Sequence, residues 1–294
     1  MATHFHKKPN TYVSHVQIKV SNLERSLEYY KNIIGFDVLE QTEKAAAFTT
    51  DGKTSILSIE QVDNALPLQR GQTGLYHFAI LLPTRKDLGN FIQHISHLNV
   101  QIGAGDHHVS EAIYLYDPDG NGIEVYADRP EEQWIWNGNT VYMTTEPVNF
   151  RSLLNLADGH WNGLPKGTVM GHIHLSVSDL LKSVEFYTKA LGFEVVTRYG
   201  SQALFISTGK YHHHIGLNTW ESLGGSPSSE KSVGLKSYTL VLDNEEQAEK
   251  IKGHLKEMGH VVERFEGASK YGGHQEFSTI DPSGIRIVFT LDGE

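Results

Sequence analysis

The sequence contains no cysteine, so neither a disulfide framework nor a thiolate metal site is available, and the fold rests on packing alone. Histidine and carboxylate are left as the metal-ligating side chains. Basic residues are in the minority, 25 Lys and Arg against 35 Asp and Glu, giving a formal net charge of -10. No basic tract exists, which argues against nucleic acid or an anionic membrane surface as partner and favours a small molecule. No apolar run approaches the length of a membrane span, and none follows the opening MATHFHKKPN, so a cytoplasmic protein is expected. What is present is ordinary globular material: 294 residues, 39% apolar and 10% aromatic, enough for two domains.

An internal repeat organises the chain. SNLERSLEYYKNIIGF from Ser21 recurs as SDLLKSVEFYTKALGF from Ser178, with Ser, Leu, Ser, Glu, Tyr, Gly and Phe at one constant offset. An alternating segment precedes each copy, SHVQIKV before the first and GHIHLSV before the second. Leu23, Leu27, Tyr30 and Ile34 fall at helical spacing, and Gly35 sits where a helix ends in a left-handed residue. Each copy therefore reads as strand, helix and Gly-Phe stop. Tyr29, Tyr30, Phe186 and Tyr187 read as core, and His94 and His97 as a solvated helix face.

Two more modules open with LYHFAILLP from Leu75 and SYTLVLD from Ser237. They close with DPDGNGIEVY from Asp117 and DPSGIRIVF from Asp281, each a tight turn feeding a strand. The fold class is thus α+β: four βαβββ modules over 11–67, 73–130, 168–225 and 233–292. In chain order they make an N-terminal domain, 11–130, a connector, 131–167, holding Trp134, Trp136 and Trp161, and a C-terminal domain, 168–292.

This arrangement resembles the vicinal oxygen chelate superfamily, in which paired modules curl their sheets into half-barrels around a metal. That fold alone names no reaction. Period-two alternation shows which side chains face the cavity. It turns His172, His174 and Ser176 inward, with Ile173, Leu175 and Val177 packed on the helix. It likewise turns His15, Gln17 and Lys19 inward, and His77, Ala79 and Glu124.

The stretch GDHHVSEAIYLYDPDGNGIE carries the sharpest motif. Gly105, His107, Ile113, Tyr114, Asp117, Pro118, Gly120 and Glu124 fill every fixed position of the pattern of extradiol ring-cleaving dioxygenases. The chain resembles the catechol 2,3-dioxygenase type of that family. The resemblance implies an enzyme that takes catechol and O2 to 2-hydroxymuconate semialdehyde, with Fe(II) as cofactor; Mn(II) suits the same ligands. It also implies that Glu124 is the carboxylate ligand, His107 an acid/base residue over the substrate and Tyr114 a donor to a substrate oxygen. A homo-oligomer is usual in this fold.

His77 and Glu124 belong to the second module, so a third ligand must open the module paired with it. Pairing with the first module gives His15; pairing with the third gives His172. The fourth module offers Ser237 and Val288 at the aligned positions and no ligand set. Pairing second with third is favoured because it also uses YHHHIGLN, where alternation puts His212 and His214 on one face and places His214, a catalytic candidate, opposite the position of Glu124. Two other functions stay open. One is a glyoxalase-like isomerase or lyase with another divalent metal, which Gln17 keeps in view; the other is a metal-free aromatic-ligand binding or resistance protein.

Overall fold

The computed structural model describes residues 2–264 and 274–291; of the expected fourth module, residues 265–273 and 292 lie outside the described residues. In all four modules the first strand lies parallel to the last. Tyr12–Val20 pairs with Ser55–Gln61, Gly74–Leu81 with Gly122–Asp128, Val169–Ser176 with Ile215–Asn218, and Gly234–Leu242 with Arg286–Leu291. A parallel neighbour requires a crossover. In the first and third modules this begins with the repeated helices, Leu23–Tyr29 and Leu180–Glu185, capped by Asn22 and Asp179. Both helices end in a turn of π-helix, Tyr30–Ile34 and Phe186–Ala190, which the helical spacing did not reveal. Gly35 then takes the left-handed conformation expected of it, with φ of 95°.

With its last strand on one side, each first strand keeps one open edge, and modules join there. Val169–Ser176 runs antiparallel to Gly74–Leu81, and Tyr12–Val20 antiparallel to Gly234–Leu242. Two eight-stranded sheets result, one from the second and third modules and one from the first and fourth. The division into 11–130 and 168–292 is therefore corrected as a description of the half-barrels: each sheet draws on both halves of the chain. Two linkers cross together between the sheets, Leu66 bridging to Ser232 and Thr73 to Pro227.

The helix-facing sides of the sheets share one apolar core, with Val16 and Ile18 from one sheet and Phe78 and Ile173 from the other. The repeated tyrosines lie in it with their hydroxyls satisfied. Tyr30 donates to Asp117 Oδ2 at 2.9 Å and Tyr187 to Asp281 Oδ2 at 3.1 Å. Each aspartate also caps its own turn, its Oδ1 accepting backbone N–H groups from Asp119 and Asn121, or from Ser283 and Ile285.

Candidate metal centre

Three neighbouring strands of the second-and-third-module sheet build the site. Glu124 stands opposite Ala79, and Ala79 opposite His172, so the three lie in one row across the sheet. His77 points to the same face two residues before Ala79. Because the middle of the row is only a methyl group, the three longer side chains lean over it and converge. His77 Nε2 lies 2.9 Å and His172 Nε2 3.2 Å from Glu124 Oε2. One potential ligand atom from each residue lies within 4.8 Å of the others.

The donor set fits a divalent cation. His77 Nε2 is buried and close to the carboxylate, yet it makes no hydrogen bond. A nitrogen so placed would be satisfied by an ion held between the three side chains. Burial works to raise the Glu124 carboxyl, but His172 and then His77 outweigh it and hold the group well below the usual range. The carboxylate is thus charged, as a ligand must be.

The expected alternative, His15, stands in the other half-barrel, where the register is the same: His15 opposite Thr239, and Thr239 opposite Val288. Ser237 and Val288 occupy the places of His77 and Glu124. His15 and Gln17 therefore face a second cavity and do not approach the His77–Glu124–His172 group.

Above the group lies a cavity of about 270 Å³, into which His107, Tyr114, His174 and His213 also face. Tyr114 is directly across the strands from Glu124. Its hydroxyl is 2.6 Å from His107 Nε2, while His107 Nδ1 is 2.7 Å from the carbonyl of Thr144 in the connector. Gly105 makes this possible, since a Cβ there would come within 3.0 Å of the His107 ring. Burial, and then the charge of Glu124, push the Tyr114 phenol well above its ordinary value, so it keeps its proton.

His214 is corrected. Its Nδ1 is 3.1 Å from Ser207 Oγ and its Nε2 3.1 Å from the Phe5 carbonyl, away from the cavity. The strand begins only at Ile215, and bends at His212 and His214 break the alternation that pointed His214 inward. His213 takes the cavity position instead, its ring centroid 4.1 Å from that of His172. Its Nδ1 is 2.8 Å from His212 Nδ1, and His212 Nε2 is 2.8 Å from Asp128 Oδ1. The run of three histidines was visible, but its phase could not be read from a strand that had not yet begun. His174 faces the cavity as alternation required; Gly216 beside it has no side chain, where a Cβ would meet the ring at 2.9 Å.

The fold and its relatives agree. Over 96% of this chain and 98% of the relative, the sequence is 45% identical to catechol-2,3-dioxygenase of Bacillus subtilis (strain 168). It is 24% identical to biphenyl-2,3-diol 1,2-dioxygenase 2 of Rhodococcus globerulus, over 46% of this chain and 77% of that one. Glyoxalase I from Zea mays shares the fold at a TM-score of 0.57 and 19% identity, covering 96% of this chain and 92% of that chain. A family model matches residues 12–125 and 169–289. With four modules, two curled sheets and this match, the chain belongs to the Glyoxalase/Bleomycin resistance protein/Dioxygenase superfamily.

Proposed function

We propose that this chain is an extradiol ring-cleaving dioxygenase acting on catechol and O2 to give 2-hydroxymuconate semialdehyde, with His77, Glu124 and His172 as the ligands of Fe(II). The observation that carries the reading is the convergence of two imidazoles and one charged carboxylate on one side of a cavity that Tyr114, His107 and His213 also face. Full-length likeness to a catechol-2,3-dioxygenase supports it.

His77, Glu124 and His172 would hold Fe(II), which would bring a diol and dioxygen together and activate them; Mn(II) would suit the same donors. The protein supplies orientation and proton traffic. Tyr114 keeps its proton and would donate it to a substrate oxygen that takes the place of its present partner, His107 Nε2. His107 and His213 are imidazoles of the cavity wall outside the triad, placed to take a proton from a diol hydroxyl and to return one as the ring opens. A cytoplasmic setting belongs to the same reading; among the described residues no helix is long and apolar enough to cross a membrane.

Oxygen uptake by anaerobically Fe(II)-reconstituted protein on adding catechol, with the yellow ring-opened product followed in parallel, tests the proposal. Uptake matched by product and abolished in His77→Ala and Glu124→Ala supports it. No uptake across several catechols, in protein shown to hold iron, sinks it and moves the reading to isomerase or lyase chemistry.

A further inference from the structure

We infer that the mouth of this cavity selects catechols bearing an uncharged, apolar substituent, and that Tyr76, Tyr116, Tyr199 and Trp220 make the selection. The inference rests on the ring-cleaving reading and narrows the substrates that such a site takes.

Depth is ordered by exposure. The floor is closed, with His77, Glu124 and His172 exposed by 7%, 2% and 1%, whereas the four rings that also line the cavity are exposed by 42%, 67%, 50% and 39% in the order given. The lining also includes the apolar side chains of Met143 and Phe205. A diol anchored at the floor therefore sends any further substituent up an apolar wall and out between aromatic rings. Large rings gathered at one opening are apolar surface that only a ligand or partner covers. The cavity beneath decides for a ligand.

One side of the mouth is already organised. Tyr76 and Trp220 have ring centroids 5.1 Å apart, and both pack on His174, at 4.9 and 5.4 Å. The backbone N–H of Trp220 donates to Asn218 Oδ1 at 3.2 Å. Rings fixed before the ligand arrives lose little freedom on binding, so their burial favours affinity.

Charge supplies the second half of the selection. Among the described lining residues there is no Lys or Arg, and the one carboxylate, Glu124, is committed to the floor. A substituent ending in a carboxylate finds no Lys or Arg in the lining to pair with, and loses part of its hydration among the rings. A propyl chain of similar length needs no such partner and packs against the rings of the mouth.

The test compares catechol, 4-propylcatechol and 3,4-dihydroxyphenylacetate on the iron-loaded enzyme. Binding is followed anaerobically by tryptophan fluorescence, and turnover by oxygen uptake. The propyl compound is expected to bind at least about tenfold more tightly than the acid and to exceed it by at least about tenfold in kcat/KM. Trp220→Ala and Tyr116→Ala should each lower the ratio of propylcatechol to catechol in kcat/KM, and Tyr116→Lys should raise kcat/KM for the acid. Equal or better binding and turnover of the acid, in an enzyme that cleaves catechol, would overturn the inference, as would a propyl-to-catechol ratio unmoved by Trp220→Ala. Tight propylcatechol binding with no cleavage of any of the three would instead sink the ring-cleaving reading while upholding the selectivity of the wall.

Discussion

Tyr30 and Asp117 belong to different modules, yet the tyrosine hydroxyl donates to the aspartate across 2.9 Å of buried core, and Tyr187 and Asp281 repeat the bond in the other half of the chain. The bond ties each repeated helix to the turn that closes the following module. It also leaves a carboxyl group in the interior, and burial raises Asp281 from 3.8 to about 6. Between those values the folded protein holds a proton that the unfolded chain has released, so this group's contribution to stability falls as pH rises through the window. Asp281→Asn removes that dependence. The stability of the variant relative to the parent should improve by up to on the order of 3 kcal/mol between pH 4 and pH 7. Urea unfolding at the two pH values checks this, and an unchanged difference would count against the buried charge.

His15 gives the opposite sign. Burial lowers its imidazole from 6.5 to about 4, so the unfolded chain binds a proton in that window while the folded chain does not. Stability is lost as pH falls from 6.5 towards 4, by up to on the order of 3 kcal/mol from this residue. His15→Leu should flatten that part of the pH–stability curve. It should also leave the iron content of reconstituted protein unchanged, whereas His172→Ala should lose it; metal analysis of the two purified variants separates the half-barrels.

Removal of the metal should be felt as lost stability. An ion bound only by the folded state, present at about 100 times its dissociation constant, adds about 2.7 kcal/mol. A chelator should therefore lower the Tm of the reconstituted protein, and Glu124→Ala, lacking the carboxylate, should melt at the same temperature with and without chelator. Calorimetry reads both.

His213→Ala and His214→Ala should differ in kind. The first removes an imidazole from the cavity and is expected to lower kcat by roughly 10² to 10⁴ with iron retained. The second removes contacts to Ser207 and Phe5, and should show in the unfolding midpoint with kcat changed by less than about tenfold. Steady-state oxygen uptake beside a denaturation curve for each variant distinguishes them.

The repeats, the helix stops at Gly35 and the inward faces of the first strands could be read from the sequence because each is a local pattern with its own period. Alternation also turned Glu124 inward, and the resemblance of the stretch from Gly105 to the dioxygenase motif singled it out. The partner of the second module could not be read in the same way, since every first strand has an equivalent open edge and nothing local marks which two meet. The surplus of histidines in the third module pointed to it only indirectly. His213 was missed because alternation was carried back past Ile215 into bent chain, and the π turns at Tyr30 and Phe186 leave no mark on a helical spacing. The aspartates at 117 and 281 were recognised as turns, but their bonds to Tyr30 and Tyr187 join residues far apart in the chain.

The row Glu124, Ala79, His172 is assembled from both sides of the 131–167 connector. Neither half of the chain owns all three residues of the proposed ligand set, and neither completes a sheet. A gene cut within the connector would thus yield two inert fragments, and activity would return only when both are made together and find each other along the edge between Gly74–Leu81 and Val169–Ser176. Ring cleavage would then serve as a colour readout for the reunion of two polypeptides.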